Sequence, residues 1–170
     1  MTQHPTGLIS VCLRPRADRP RGDGLLSVWD GEDFAGAKLA LILEDQILTY
    51  RRDDKPDIPF PNCWDLPGGG REGDEAPTDC ALRELAEEFG LNLPYSRLTL
   101  GRRYERADRL PAYFFIGDLS ADDVDAIEFG DEGQYWRLMP IGDFLAETQA
   151  VSALQERLRD CLSLEYNFLK

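Results

Sequence analysis

Three glutamates, Glu84, Glu87 and Glu88, lie close together downstream of a glycine-rich turn, Gly68-Gly69-Gly70. At about 100° of rotation per residue, a helix through this stretch carries all three glutamates within an arc of roughly 100°. Leu82, Leu85, Ala86 and Phe89 form an apolar stripe on the other side. A charged helix face is usually just solvated, and periodicity alone does not reject that account. Two features weigh against it. Glu84 and Glu88 are like charges at i,i+4, which costs a few tenths of a kcal/mol unless a cation sits between them. Arg83 can pair with Glu87, but no lysine on this face relieves the other two. A magnesium ion would relieve them, because it favours carboxylate oxygens and retains several waters. The glycines upstream would let a backbone carbonyl approach the same ion. The chemistry offered by these residues is the binding of a hard divalent cation.

Other chemistries find less support. Gly68, Gly70 and Gly73 satisfy G-x-G-x-x-G, but a dinucleotide site needs a strand before the glycines and a helix opening at them. Prolines precede this loop, and Glu72, Asp74 and Glu75 would repel a pyrophosphate held directly against it. No Gly-Lys-Ser/Thr follows, which excludes a Walker A loop. The lone histidine, His4, gives a Ser-His-Asp triad or a His-rich zinc site nothing to build on. The cysteines at 12, 63, 80 and 161 form no C-x-x-C pair and read as separate reduced thiols, which fits a cytoplasmic protein.

The elements that must position the glutamates can be read around them. Ala37 to Leu43 and Ile47 to Arg52 are strand-like runs flanking Glu44-Asp45-Gln46, a hairpin pattern. Asp53 to Pro67 carries four prolines and reads as a loop. A helix is expected from Pro77, a good first-turn residue, to Gly90, a good C-terminal cap. Leu98 to Tyr104, Ala112 to Gly117 and Tyr135 to Leu138 are further strand candidates. Ser120 with Asp123 predicts a capping box, and Val151 to Leu164 an amphipathic helix. Interleaved strands and helices predict an α/β or α+β sandwich around a mixed sheet.

The 170 residues suit one domain, and the net charge of −13 disfavours general nucleic-acid binding and anionic membrane surfaces. No stretch is long and apolar enough for a membrane span. Residues 1–24, with four arginines against two aspartates, stand apart as a basic arm or an edge strand at Gly7 to Leu13, leaving 25–170 as the domain.

Residues 69–91 resemble the Nudix box, G-x5-E-x7-R-E-U-x-E-E-x-G-U, where U is aliphatic. Gly69, Glu75, Arg83, Glu84, Leu85, Glu87, Glu88, Gly90 and Leu91 fill its fixed positions, and Trp64-Asp65-Leu66-Pro67-Gly68-Gly69 resembles the usual lead-in. The resemblance implies an α/β/α sandwich around a mixed β-sheet and a hydrolase acting on a nucleoside diphosphate linked to another moiety, with Mg²⁺ or Mn²⁺. Carried over, it makes Glu84, Glu87 and Glu88 metal ligands, helped by the Gly68 carbonyl. Arg83 then orients a carboxylate of the site, with Glu75 or Glu87 as its partner. Cations bridging the oxygens of a pyrophosphate remove much of the repulsion that protects it from a nucleophile. With His4 remote, the general base is expected to be a carboxylate.

Outside the box, Glu132 in Asp131-Glu132-Gly133 resembles the loop glutamate that some relatives use as base or extra ligand, and glycines around it would let the loop close over substrate. A surface acid in a turn is the plain alternative. Of Arg51 and Arg52, one is expected to hold a distal phosphate, with an edge-strand arginine in solvent equally compatible. Tyr113, Phe115, Phe129 and Tyr135 are candidates for stacking a nucleobase, although such aromatics are more often core. Signatures that such a resemblance attaches to ADP-ribose, dinucleoside polyphosphate, RNA 5′-end and NADH hydrolases are absent here. Elimination leaves a small nucleotide as substrate, such as a nucleoside triphosphate in a house-cleaning role. A nucleotide-sensing module without hydrolysis stays open, and so does a homodimer.

Overall fold

The computed structural model describes residues 29–167. The N-terminal arm or edge strand expected in residues 1–24 lies outside them. The elements run β1 (Gly36–Leu43), β2 (Gln46–Arg51), β3 (Trp64–Asp65), β4 (Gly68–Gly70), α1 (Pro77–Phe89), β5 (Leu98–Arg106), β6 (Arg109–Asp118), α2 (Ala121–Asp125), β7 (Tyr135–Pro140), α3 (Ile141–Ala146) and α4 (Ser152–Asn167). The expected hairpin is present as β1 and β2, with Glu44 in its turn at φ 57°.

The seven strands among the described residues join one mixed sheet. β6 runs parallel to β1 along Gly36 to Ile42 and occupies one of its edges. The other edge is shared: β4 pairs antiparallel with Gly36 to Lys38, and β2 with Ile42 and Leu43. Between them Leu39 donates its N–H to the carbonyl of Pro67, so the Trp64-to-Gly70 segment crosses the seam where the edge divides.

Period-2 alternation sorts the sheet into two faces. Leu39, Leu41, Leu48, Tyr113 and Phe115 pack with Ala81, Leu85 and Phe89 of α1. Ala40, Ile42, Ile47, Phe114 and Ile116 pack with Phe144 of α3 and Leu154, Leu158 and Cys161 of α4. The result is the α/β/α sandwich around a mixed sheet that the resemblance implies. Tyr113 and Phe115 are 2% exposed, so they are core residues and not stacking platforms. Among the described residues no helix is long and apolar enough to cross a membrane.

Local signals act as expected at the helix ends. Pro77 opens α1, and Gly90 closes it at φ 67° with its N–H on the Ala86 carbonyl. Ser120 and Asp123 form the reciprocal capping box of α2. The buried face of α1 differs from the wheel reading, because it comprises Cys80, Ala81, Leu85, Glu88 and Phe89, while Leu82 and Ala86 are only partly buried. The sheet therefore meets the helix on a face rotated toward the glutamates.

Candidate active site

A cleft of about 520 Å³ opens where the sheet edge divides. Its walls come from β1 (Lys38), β2 and the residue after it (Tyr50, Arg52), β4 (Gly68 to Gly70) and α1 (Glu84, Glu87, Glu88), and its rim includes Asp131 and Glu132. A volume of this order suits a small organic ligand.

Rotation of α1 toward its acidic side buries Glu88 to 5% exposure. Its Oε2 accepts the N–H of Gly68 at 2.9 Å, and no hydrogen bond to its Oε1 is present among the described residues. Burial pushes the Glu88 carboxyl up to about 7, against the opposing pull of Lys38 and the Gly68 N–H. Glu84 is raised too, by burial first, with Arg83 working against it. Its carboxyl group packs against Gly69, where a Cβ would stand 2.5 Å from the carboxylate atoms. Gly68 holds φ 119°, and a Cβ there would meet the Ala37 carbonyl oxygen at 2.2 Å, so only glycine fits the turn.

Arg83 organises the opposite side. It grips Glu75 through two bonds, Nε to Oε2 at 3.0 Å and NH2 to Oε1 at 2.9 Å. It also reaches Glu84 Oε1 at 3.1 Å, Glu87 Oε2 at 2.9 Å and the Gly70 carbonyl at 2.9 Å. Both expected partners are therefore engaged at once. Hydrogen bonding from Arg83 holds the Glu75 carboxyl down at about 2. Glu87 is well exposed and turned to Arg83. Among the described residues no three His, Cys, Asp or Glu side chains converge as a ready metal cage. Glu84, Glu87 and Glu88 all border the cleft, with Glu87 turned to Arg83, its nearby counter-charge. The donor set still fits a magnesium-type ion. Hard carboxylate oxygens border a glycine turn with no side chain in the way, and one buried carboxylate oxygen is without a donor.

Alternation on β2 separates the two arginines. Tyr50 and Arg52 face the cleft, whereas Arg51 faces the α3–α4 side. Arg51 is 8% exposed, donates to Asn62 Oδ1 and Gln149 Oε1 at 2.9 Å each, and lies over the Trp64 ring. It is a packing residue, which corrects its candidacy for a phosphate. Arg52 stands at the cleft and pairs with Asp65 at 2.7 Å.

Glu132 lines the cleft on the segment between α2 and β7. That segment is pinned at both ends: Gly130 donates to the Glu88 carbonyl, and Gln134 donates to the carbonyls of Arg51 and Arg52. A Cβ on Gly133 would meet the Tyr50 ring at 2.8 Å, at φ 100°. The glycines allow close packing against α1 and β2. Phe129 packs with Tyr50 and Phe89, and Tyr135 meets Trp64 edge-on, so neither ring is presented by the cleft wall.

Lys38, Tyr50 and Asp65 were not singled out from the sequence. Lys38 supplies a cation near Glu84 and Glu88 in addition to Arg83 of α1, from a strand nearly fifty residues upstream.

Comparison with known proteins agrees with this geometry. A family model described as NUDIX domain matches residues 34–161. Diphosphoinositol polyphosphate phosphohydrolase 3-alpha of Mus musculus is 32% identical over 99 residues, 56% of this chain and 57% of that protein. The chain thus spans little more than half the length of that relative. The MutT protein of Methanosarcina mazei Go1 superposes with a TM-score of 0.60 at 18% identity, covering 84% of this chain and 99% of that one. A bifunctional NMN adenylyltransferase/ADP ribose pyrophosphatase of Francisella tularensis, solved with AMP and a manganese ion, superposes with a TM-score of 0.64 at 19% identity, covering 79% of this chain and 42% of that one. At such identities the two solved structures speak for the fold.

Two outcomes follow from the geometry. Gly69→Ala should keep the stability within about 1 kcal/mol, because the obstructing atoms end a flexible side chain. It should displace Glu84 and weaken Mn²⁺ binding by about tenfold or more, read by titration of the folded protein. Glu75→Gln removes a carboxylate whose value is depressed in the folded state. Its stabilising effect is full above the ordinary range near 4.5 and is lost as pH falls toward about 2. Unfolding free energies of wild type and variant from urea titration should therefore differ at pH 7, by about 1–3 kcal/mol, and converge near pH 2.

Proposed function

This chain belongs to the Nudix domain family, and from that premise we propose that it is a hydrolase of pyrophosphate bonds in small nucleotides, dependent on Mg²⁺ or Mn²⁺. The observation that carries the reading is Glu88: a carboxylate buried at the wall of a cleft, with one oxygen on the Gly68 N–H and the other without a donor, beside Glu84. Glu84, Glu88 and the Gly68 carbonyl would hold the cation, with Glu87 joining once released from Arg83. When bound, the cation would offset charge on the diphosphate oxygens and ease deprotonation of a water.

The chain's own side chains account for the remaining roles. Arg83, fixed by Glu75, holds Glu84 and Glu87 in place. Glu132 at the rim accepts the proton of the attacking water, which no histidine among the described residues could do. Arg52 and Lys38 line the same cleft and would offer positive charge to the phosphates of the substrate.

Cleft charge bears on the substrate. Six acids, Glu72, Glu84, Glu87, Glu88, Asp131 and Glu132, line it against two cations. A densely phosphorylated inositol of the kind the mouse relative is named for would be repelled by that balance. A short di- or triphosphate whose charge is offset by bound divalent ions fits better, and a nucleoside triphosphate is the favoured example. The free thiols Cys63 and Cys80 suit a reducing, cytoplasmic setting.

A panel of nucleoside triphosphates, nucleotide sugars and diphosphoinositol polyphosphates with Mg²⁺ or Mn²⁺, scored for released phosphate and pyrophosphate, tests the reading. Turnover of a nucleotide is expected, and Glu88→Gln should abolish it while leaving the protein folded. Glu132→Gln should lower kcat by about 10² to 10⁴ with little change in KM. Loss of cation affinity in that variant would make Glu132 a ligand, and nucleotide binding without any turnover in wild type would replace the hydrolase with a nucleotide sensor.

A further inference from the structure

Asp65 lies outside the cleft lining, only 2% exposed, yet three residues that line the cleft converge on it. Lys38 Nζ sits 3.0 Å from Oδ1, Arg52 NH1 donates to Oδ2 at 2.7 Å, and the Tyr50 hydroxyl donates to Oδ2 at 3.3 Å. The Leu66 N–H, at 2.7 Å, completes the set on Oδ1. Resting on the reading that the cleft takes a diphosphate, we propose that Asp65 is a positioning residue that fixes Lys38 and Arg52 in advance as a rigid cationic pair for a phosphate of that ligand.

Anchoring the chain at Trp64 to Leu66 would need one donor, and the site supplies two full cations, one from β1 and one just after β2. One carboxylate between two cations leaves a surplus positive charge, in a wall that otherwise carries acids. Both cations also keep donors to spare. Lys38 gives one N–H to Asp65 and one to the Leu66 carbonyl at 2.9 Å, and an ammonium has a third. Arg52 gives Nε to the Pro59 carbonyl at 3.0 Å and bonds Asp65 and Tyr50, which leaves guanidinium N–H groups over. These contacts hold each side chain in one orientation before any ligand arrives. Long cationic side chains lose considerable rotamer freedom on binding an anion, so ordering them in advance raises affinity.

Burial alone would raise the Asp65 carboxyl, but Lys38 and Arg52 outweigh it and hold it below the ordinary range. The hub therefore stays charged at neutral pH. Asparagine in its place would keep the shape while removing the carboxylate charge that both cations share.

Methylenediphosphonate, a diphosphate that resists hydrolysis, is titrated calorimetrically with Mg²⁺ present onto wild type, Asp65→Asn, Arg52→Lys and the double variant, each checked by thermal melting. Wild type should bind it, and Asp65→Asn should weaken binding by at least about tenfold at unchanged stoichiometry. Arg52→Lys keeps the charge but loses the fork on Asp65 and Pro59, and should also weaken binding. Asp65→Asn should cost clearly less in the Arg52→Lys background than in wild type, as coupling through that arginine requires. A lower melting temperature or active fraction with unchanged affinity in Asp65→Asn would overturn the proposal and leave Asp65 a purely structural anchor. Should Asp65→Asn not fold, unchanged affinity in Arg52→Lys overturns it equally. Absence of binding to wild type overturns it too. Unchanged affinity in Asp65→Asn alongside nucleotide turnover would sink this inference alone, while the expected losses without turnover of any substrate would sink the hydrolase reading alone.

Discussion

Crowded negative charge at the divided edge of β1 is the constraint around which this molecule is arranged. Asp65, Glu84 and Glu88 are brought to one seam between the sheet and α1, where two of them are almost wholly out of water. Buried carboxylates are tolerated only when counter-charges and hydrogen bonds meet them. The chain meets Asp65 fully, with Lys38, Arg52, Tyr50 and Leu66. It meets Glu84 and Glu88 only in part, through Arg83 and the Gly68 N–H. That inequality explains why Asp65 is held low while Glu84 and Glu88 are pushed up. One acid is completed by the fold, and two retain a demand for positive charge.

The glycines follow from the same crowding. Gly68 and Gly69 let the backbone pass between β1 and the Glu84 carboxylate, where any side chain would collide. Gly130 and Gly133 let the acidic segment carrying Asp131 and Glu132 press against the end of α1 and the Tyr50 ring. Removing side-chain volume at these points brings oppositely directed elements within hydrogen-bond reach. The cleft is consequently built largely in advance, with its acidic side fixed by Arg83 and Glu75 and its cationic side by Asp65. Pre-organisation of this kind suits a reaction in which placing charge against a phosphoryl group is most of the task.

The amino-acid sequence determined whatever depends on near neighbours. Pro77 and Gly90 delimit α1, Ser120 and Asp123 cap α2, and the runs on either side of Glu44 to Gln46 make the hairpin. The spacing of Gly69, Glu75, Arg83, Glu84, Glu87 and Glu88 was equally legible, because one helix and its leading turn hold them all. What needed the tertiary structure is what depends on the sheet. Arg51 and Arg52 are equivalent as neighbours in sequence, and only the face on which α1 packs makes one a packing residue and the other a cleft residue. The helical wheel set Glu88 opposite the apolar stripe, whereas packing rotated α1 and buried it. Lys38 and Asp65, 27 positions apart, meet because β4 and β2 divide one edge of β1. Helix periodicity and caps are written in bonds between residues three or four apart. Strand register and the choice of buried face are set by pairings between segments distant in the chain, and no local spacing encodes those.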